Sequence, residues 1–360
     1  MNIAFFTPTL NFGGYEKVVV SFANYLAKDN SNKISIVCCD SSGILRNQVS
    51  TQIDIINLNC RVRTLLPKLI RFFRYSDIDI FYSGFRVYNS ISVLAQIFSK
   101  NNNIKVLMSQ HGYEYQNKLF TFLHSKIQKN ADGFTAVTND LLNFEKKELN
   151  LNCPSYVVGN PVINNKKLET DILTNDAWFN DSKIICVCAR LSKDKNISLA
   201  IKILKKLHED SYKCKLLILG DGPEKDNLKA IVDKYSLNEF VRFEGFVENP
   251  ITYMRKCTIY LHTCDREGFG NTVVEAMYAD LPIITTDCGG PVDIIENGKY
   301  GICIGNGRST ESIENGSKAI RAILNQEVDF VDIQKKALNY TVDSVASELL
   351  NFFNLVRNKI

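Results

Sequence analysis

Two glutamates in the second half of the chain are spaced so that both can contact one ligand. Glu267 lies in a loop after the apolar run at 258–262, and Glu275 follows eight residues later. Apolar residues at helical spacing predict a helix over 272–279, which places Glu275 on that helix and Glu267 before it. The two carboxylates could accept hydrogen bonds from different hydroxyls of a sugar-containing ligand. The spacing fits equally well a solvated helix acid and a charge that complements the helix dipole.

Glycines precede two predicted helices in this same stretch. Gly268 and Gly270 come before the helix at 272–279, and Gly289-Gly290-Pro291 opens the next helix after a short predicted strand at 282–285. The N-terminus of a helix has bare N–H groups and the positive end of the dipole, and glycine lets an anion approach closely. The pattern therefore predicts a diphosphate site at one edge of a parallel sheet.

Two cations occupy another loop between a strand and a helix. Arg190 and Lys195 are five residues apart, between a predicted strand at 184–188 and a predicted helix at 197–207. The planar guanidinium of arginine can donate two hydrogen bonds side by side, and the ammonium of lysine acts as a point charge. Both could therefore bind one pyrophosphate. Without the neighbouring glutamates, two solvated loop cations would explain the pattern better.

The first half of the chain has weaker signals. Gly13-Gly14 lies between a predicted strand at 3–7 and a predicted helix at 17–28, a position that suits phosphate but is more often a plain turn. His111 follows a predicted strand at 104–108, where open α/β sheets bind ligands. A lone histidine is more often structural than functional.

The stretch from Glu267 to Asp293 reads EGFG, then EAM, LPII and a Gly-Gly-Pro-x-Asp turn. It resembles the paired-glutamate signature of retaining, nucleotide-sugar-dependent glycosyltransferases of the GT-B fold, in particular the group 1, glycogen-synthase-like family. The resemblance implies that Glu267 contacts hydroxyls of the donor sugar and that Glu275 contacts the ribose. It also favours His111 as a contact of the donor sugar.

Other positions match the same family pattern. Gly13, Gly14 and Glu16 resemble its Gly-Gly-x-Glu opening, which faces the donor diphosphate, and Ala189 stands where glycine is usual. The catalytic set that the resemblance implies is Glu267, Lys195, Arg190 and His111. The implied donor-binding set is Gly13, Gly14, Glu16, Gly220, Phe246, Val247, Gly268, Phe269, Gly270, Asn271, Thr272, Glu275, Gly289 and Gly290.

Short β-branched or aromatic runs alternate with amphipathic segments, which predicts βαβ units and parallel sheets. The polar stretch after residue 163 marks a domain boundary. With the resemblance, the expected fold is α/β GT-B, with two Rossmann-like domains facing each other across a cleft. We expect an acceptor domain at 1–163, a linker at 164–182, a nucleotide-sugar domain at 183–338 and a final segment at 339–360 whose helix crosses back.

Composition excludes several classes of protein. The chain is 45% hydrophobic and 23% charged, as soluble globular proteins are, and has no apolar run near the ~18 residues that a membrane span needs. Its eleven cysteines lack the paired spacing of a zinc site, and a net charge of +4 is too small to indicate nucleic acid. The N-terminus reads as a strand and not a signal peptide, which favours the cytoplasm.

The segment 61–74 is basic and amphipathic. Its cations are Arg61, Arg63, Lys68, Arg71 and Arg74, and it contains no acid. Such a segment can contact an anionic membrane surface, although an ordinary surface helix is an equally good interpretation. Pro67 argues against one straight helix.

These observations lead to one functional hypothesis with two alternatives. The chain is expected to move a hexose or N-acetylhexosamine from a UDP-sugar, or a GDP-sugar, to a saccharide acceptor linked to a polyprenyl diphosphate in bacterial surface polysaccharide synthesis. The predicted site lacks an Asp-x-Asp metal motif placed on a nucleotide, so no metal cofactor is expected, and the location expected is the inner face of the cytoplasmic membrane. The alternatives are a nucleotide-sugar epimerase of the same fold and a non-catalytic subunit of a polysaccharide assembly complex.

Overall fold

The computed structural model describes residues 1–11, 13–114, 117–163, 176–180 and 183–358. The chain divides into two compact units, Met1–Pro161 together with Thr341–Ile360, and Val162–Tyr340. Most of the predicted linker at 164–182 lies outside the described residues, and its described part contains one turn of 3₁₀ helix, Ala177–Phe179.

Unit 1, which is Met1–Pro161 with Thr341–Ile360, is built on a seven-stranded sheet. Its strands are β1 (Asn2–Thr7), β2 (Lys33–Cys38), β3 (Asp54–Asn57), β4 (Ile80–Gly84), β5 (Lys105–Gln110), β6 (Gly133–Ala136) and β7 (Ser155–Val157). They are all parallel, in the order β3-β2-β1-β4-β5-β6-β7. The central strands β1 and β4 are buried along almost their whole length, as is typical of parallel sheets.

Helices connect these strands. They are α1 (Gly14–Leu26), α2 (Val62–Tyr75), α3 (Arg86–Ser99), α4 (Lys118–Gln128) and α5 (Asn139–Leu149). The expectation that Pro67 would interrupt the segment 61–74 is wrong, since α2 runs through it. Pro67 is exposed in the second turn, where water can satisfy the carbonyl that loses its N–H partner. At the start of α5, the side chain of Thr138 accepts the N–H of Leu141.

Unit 2, Val162–Tyr340, has a six-stranded parallel sheet in the order β10-β9-β8-β11-β12-β13. The strands are β8 (Lys183–Cys188), β9 (Cys214–Leu219), β10 (Val241–Gly245), β11 (Ile259–His262), β12 (Ile283–Thr285) and β13 (Gly301–Cys303). The helices are α6 (Ile197–Glu209), α7 (Lys225–Lys234), α8 (Pro250–Met254), α9 (Asn271–Tyr278), α10 (Gly290–Ile294), α11 (Glu311–Leu324) and α12 (Ile333–Ala337).

The last helix, α13 (Val342–Arg357), packs in unit 1 against α1. Its buried face includes Phe353, whose ring lies 6.2 Å from that of Phe5 and 5.5 Å from that of Tyr82. The C-terminal residues therefore complete the core of the unit that contains the N-terminus. The prediction of two parallel-sheet α/β domains is confirmed.

Candidate functional site

The most direct contact between two predicted site residues joins Lys195 to Glu267. The Nζ atom of Lys195 lies 2.6 Å from Oε2 of Glu267 and 3.7 Å from Sγ of Cys264. Lys195 follows β8 and Glu267 follows β11, and these strands are neighbours in the sheet. Their carboxyl ends meet at one edge, which is where open parallel sheets bind ligands.

The surroundings of Lys195 keep it cationic. Burial by itself would lower its pKa, but the charge of Glu267, with smaller contributions from Cys264 and Asp194, outweighs burial and raises the pKa. The Lys195 and Glu267 side chains retain 22% and 25% of their exposure, so the pair can still be reached by a ligand. A fixed ammonium with donors to spare is suited to binding a phosphate oxygen.

His262 was not singled out from the sequence, yet it belongs to this cluster. It is the last residue of β11, is 4% exposed, and has a buried Nε2 atom without a hydrogen-bond partner among the described residues. Burial lowers the pKa of His262 to about 4, so the ring is neutral at pH 7. The rule that pointed to His111, a polar residue at the carboxyl end of a parallel strand, could have found it.

The ligand atoms of His262, Cys264 and Glu267 lie within 4.8 Å of one another, a spacing that could hold a metal ion. Two features make the trio a poor metal site. The ammonium of Lys195 already lies against the Glu267 carboxylate, where a metal cation would be repelled. Burial also raises the pKa of Cys264 to about 11, so it remains a protonated thiol. The cluster is better suited to an anionic or hydroxyl-rich ligand.

Two glycine-containing loops are joined beside this cluster. The N–H of Glu267 donates to the Cys288 carbonyl at 2.7 Å, and the N–H of Gly290 donates to the Glu267 carbonyl at 2.9 Å. A Cβ at Gly290 would lie 2.5 Å from the carbonyl oxygen of Gly268, so only glycine fits there. The N–H of Gly290 is thus used between the loops and does not face a ligand as a bare donor, contrary to the expectation from the sequence.

The helix α9 supplies the positive dipole end that the sequence predicted. Gly270 caps it with φ 104°, and no acidic residue occupies its first turn. Thr272 is engaged within the unit, since its Oγ1 lies 2.6 Å from the hydroxyl of Tyr260. Phe269 is buried, with its ring 5.4 Å from that of Tyr340, and Asn271 is exposed at the start of α9.

The two glutamates have different surroundings. Glu267 faces an ammonium, whereas Glu275 lies on α9 near the thiol of Cys188 at the end of β8. Burial raises the pKa of Cys188, and the negative charge of Glu275 raises it further. The two carboxylates therefore lie beside different groups, an ammonium and a thiol.

The remaining predicted residues of unit 2 follow β8, β9 and β10, along the same edge of the sheet. Arg190 is exposed, and no hydrogen bond or ion pair among the described residues links it to Lys195. Gly220 has φ 130° and its N–H donates to the Gly245 carbonyl at 2.7 Å, which joins the ends of β9 and β10. Phe246 is 73% exposed directly after β10, and Val247 is half-buried beside it.

In unit 1, His111 is held by two residues. Its Nδ1 lies 3.2 Å from Oδ1 of Asn160, and the edge of its ring packs on Tyr15 with centroids 4.9 Å apart. Burial lowers the pKa of His111 to about 4. Because Asn160 presents an oxygen, Nδ1 carries the proton, and the buried Nε2, which has no partner among the described residues, is left to accept a hydroxyl.

The glycine pair of unit 1 begins α1. Gly13 precedes the helix and Gly14 is its first residue. The carboxylate of Glu16 folds over Gly13, where a Cβ would lie 2.1 Å from Oε2 of Glu16. Burial raises the pKa of Glu16. The sequence had not indicated Tyr15, whose hydroxyl donates to the Phe6 carbonyl at 2.8 Å and orients the ring beneath His111.

All five cations of the predicted membrane segment are exposed on or beside α2, whose buried face is Leu65, Leu69 and Phe73. Lys68 is partly used within the unit, because its Nζ donates to the carbonyls of Leu58 and Asn59, each at 2.7 Å. No helix in the described part of the chain is long and apolar enough to cross a bilayer.

Comparison with known families gives a direct match. Residues 170–340 match the family described as glycosyl transferases group 1. This range includes Arg190, Lys195 and both glutamates. The resemblance to the group 1 glycosyltransferases that the sequence motifs indicated is confirmed over these residues.

Individual relatives agree with this assignment. The chain is 25% identical to the O-antigen biosynthesis glycosyltransferase WclY of Escherichia coli, over 80% of each protein. It is 37% identical to an N-acetylgalactosaminyltransferase of Campylobacter jejuni named for a diphospho-undecaprenol-linked acceptor, but the alignment spans only 29% of this chain and 28% of that relative. A glycosyltransferase structure from Rickettsia africae superposes with a TM-score of 0.81 at 18% identity, covering 100% of this chain and 99% of that one. The predicted GT-B fold is confirmed.

Proposed function

We propose that the chain is a configuration-retaining glycosyltransferase that moves a hexose or N-acetylhexosamine from a nucleotide sugar to a saccharide acceptor. The observation that carries the proposal is the pair of Lys195 and Glu267 at the joined ends of β8 and β11, within the family's own stretch. The donor is a UDP-sugar in the first instance, with a GDP-sugar as the second choice.

Lys195 stabilises the leaving nucleoside diphosphate in this proposal. Its ammonium has three N–H donors; Glu267 occupies one at 2.6 Å and Sγ of Cys264 a second at 3.7 Å, which leaves one for a phosphate oxygen. The exposed guanidinium of Arg190 and the N-terminus of α9 add positive potential at the same edge of the sheet. A fixed positive site of this kind replaces the metal ion that other transferases use, so we propose that no metal cofactor is needed.

Glu267 and Glu275 take separate roles. Glu267 accepts hydrogen bonds from hydroxyls of the transferred sugar, since its carboxylate is already oriented by Lys195. Glu275 accepts hydrogen bonds from the ribose. The loops at Gly220 and at Phe246 and Val247 contact the rest of the nucleotide.

The configuration at the anomeric carbon is retained because the acceptor hydroxyl attacks that carbon from the same face from which the diphosphate departs. The bond from the anomeric carbon to the phosphate oxygen breaks, a bond to the acceptor oxygen forms, and the acceptor's proton passes to the departing phosphate. This route needs no second carboxylate as a covalent nucleophile. An α-linked donor then gives an α-linked product.

The proposed acceptor is a saccharide on a polyprenyl diphosphate, in the synthesis of a bacterial surface polysaccharide. Support comes from the names of two relatives, one of which acts on a diphospho-undecaprenol-linked saccharide and the other in O-antigen biosynthesis. We further propose that the protein works at the inner face of the cytoplasmic membrane, with the cations of α2 on the lipid headgroups.

One assay tests the central proposal. Purified protein is given a panel of UDP- and GDP-sugars with polyprenyl-diphosphate saccharides, with and without EDTA, and products are identified by mass spectrometry and by the anomeric signals in NMR. Transfer with retained configuration that survives EDTA is expected. Epimerised donor, binding without product or an inverted product would each overturn the proposal as stated, and metal-reversible loss of turnover would overturn its metal-free part.

A further inference from the structure

Helix α4 has its apolar face towards solvent and its polar face towards the protein, the reverse of an ordinary surface helix. Its large apolar side chains face solvent, with Leu119 65%, Phe120 54%, Phe122 56% and Leu123 47% exposed. The only residue of α4 that is fully buried is a glutamine, Gln128. A soluble helix that packs on a sheet has the opposite arrangement.

Hydrogen bonds hold the polar face of α4 inward. Gln128 donates from Nε2 to the Arg86 carbonyl at 2.8 Å and to Oγ of Ser90 at 2.9 Å. His124 and Ser125 complete this face, with Nδ1 of His124 at 2.6 Å from Oγ of Ser90 and Oγ of Ser125 donating to the Leu149 carbonyl at 2.7 Å. Rotating the helix to bury its apolar face would break these bonds and leave buried polar groups unpaired.

The outward face has a composition that suits a lipid boundary. Leu119, Phe122, Leu123 and Lys126 lie three and four residues apart and form one stripe. The ammonium of Lys126 lies over the Phe122 ring, 5.2 Å from its centre, so the stripe carries a cation against its aromatic surface. No acidic residue occurs from 117 to 130.

The neighbouring helices extend this charge pattern. α3 packs against both α2 and α4, and it adds the exposed side chains of Ile97 and Phe98. The three segments 61–75, 86–100 and 117–130 contain no Asp or Glu. Nine of their cations are exposed: Arg61, Arg63, Lys68, Arg71, Arg74, Lys100, Lys118, Lys126 and Lys129. Since the whole chain has a net charge of only +4, the remainder of the molecule is net acidic.

We propose that α4 inserts its outward face into the headgroup and acyl boundary of an anionic bilayer, while the cations of α2, α3 and α4 contact the lipid phosphates. Amphipathic helices of this composition bury their apolar face about 5–10 Å into that boundary. The nine exposed cations of α2, α3 and α4 and the residues beside them form a cationic layer. Its charge argues against a second copy of this chain on this surface, because a symmetric contact would bring the cationic layers of the two copies together. The inference uses only the membrane part of the proposed function and does not depend on sugar transfer.

The first test compares two sets of substitutions. Leu119→Ser, Phe122→Ser and Leu123→Ser together remove the outward stripe, and Ile44→Ser, Val331→Ser and Leu355→Ser remove three exposed apolar side chains elsewhere. Binding is measured by sedimentation with phosphatidylglycerol-containing and pure phosphatidylcholine vesicles. The α4 variant is expected to lose at least about tenfold in partition to the anionic vesicles, and the control set little. Equal binding of both variants and the wild type would overturn the proposal.

A second measurement reports insertion directly. Phe122→Trp is introduced with Trp178→Phe, which removes the chain's single native tryptophan. Brominated lipids should quench the fluorescence of the introduced indole in anionic vesicles, and its emission should shift to the blue. If the protein sediments but its emission is neither quenched nor shifted, α2 docks alone. If the protein dimerises and only the α4 variant loses the dimer, a second copy covers the stripe. Either result overturns insertion. Failure of sugar transfer with intact quenching would overturn the proposed function and leave this inference in place.

Discussion

At the scale of single residues, Lys195 offers the sharpest test of the proposed chemistry. Replacing it with alanine removes a charge that would stabilise the leaving diphosphate, so turnover is expected to fall on the order of 10²–10³-fold. The measurement is kcat at saturating donor, with circular dichroism to verify folding. Lys193→Ala, an exposed lysine in the same turn, is the matched control and should keep nearly full activity. Equal turnover in the two variants would refute the assignment of Lys195.

The two glutamates should respond differently to the same change. Glu267→Gln weakens the contacts to the transferred sugar and leaves Lys195 without its charged partner, so turnover should fall more than nucleotide affinity. Glu275→Gln should mainly weaken binding of the nucleoside diphosphate through its ribose. Calorimetry with the free nucleoside diphosphate separates these effects. The division of roles fails if both variants lose affinity to the same extent.

Buried histidines make stability depend on pH. The pKa values of His111 and His262 are both lowered to about 4 by burial, whereas an unfolded histidine titrates near about 6.5. Between these values the unfolded chain binds more protons, so stability is fully present above about pH 6.5 and is lost as the pH falls towards 4. His262 is nearly fully buried and could account for up to about 3 kcal/mol. The free energy of unfolding, measured with urea at several pH values from 7 to 4.5, should fall less steeply with decreasing pH for His262→Gln than for the wild type. An equal pH dependence in the two proteins would contradict this account.

At the scale of secondary-structure elements, one buried ion pair joins α3 to α5. The Nη2 and Nε atoms of Arg86 donate to the two oxygens of Glu145 at 2.9 and 3.1 Å, and the side chains are 1% and 0% exposed. Burial raises the pKa of Glu145 to about 7, although the guanidinium of Arg86 opposes this rise. The carbonyl of Arg86 also accepts from Gln128, so the polar underside of α4 rests on this pair.

Breaking this pair should cost more than replacing it. Glu145→Leu or Arg86→Met alone leaves an uncompensated buried charge, and each should lower the free energy of unfolding by about 3–5 kcal/mol. The double substitution should recover most of that loss because both charges are removed. Urea denaturation of the two single variants and the double variant measures the coupling. Additive losses would mean that the two groups do not stabilise each other.

At the scale of the whole molecule, the uneven distribution of charge should control membrane binding. Arg71→Glu with Arg74→Glu reverses two cations of α2, and each cation near an anionic surface contributes about 1 kcal/mol. Sedimentation with anionic vesicles should therefore weaken by about 30-fold or more. Lys229→Glu with Lys234→Glu on α7 makes the same change in net charge outside the cationic layer and should have little effect.

Salt gives the companion test. The Debye length falls from about 10 Å at 0.1 M salt to about 3 Å at 1 M, so the difference between wild type and the α2 variant should shrink as salt rises. The contribution of the apolar stripe on α4 should persist. If the α2 and α7 variants bind equally at low salt, net charge and not its placement governs binding, and α2 is an ordinary surface helix.

The sequence alone determined the two sheets and most of the loops that matter. Parallel strands buried on both faces need continuous apolar runs, and such a run is visible in the sequence at residues 216–219 of β9. Residues that follow such strands, among them Lys195 and Glu267, could therefore be assigned to one edge. Their direct pairing could not be predicted, because they are 72 residues apart and meet only since β8 and β11 are neighbours.

Tertiary structure alone decided the features that depend on which side of an element faces inward. The sequence places polar His262 at the end of a strand, but its burial comes from the strands and loops around it. Helix α4 has a polar and an apolar face in sequence, and the usual rule would bury the apolar one. The structure buries the polar face because Ser90, Leu149 and the Arg86 carbonyl lie beneath it, and a hydrogen bond lost there would cost more than an apolar side chain left outside.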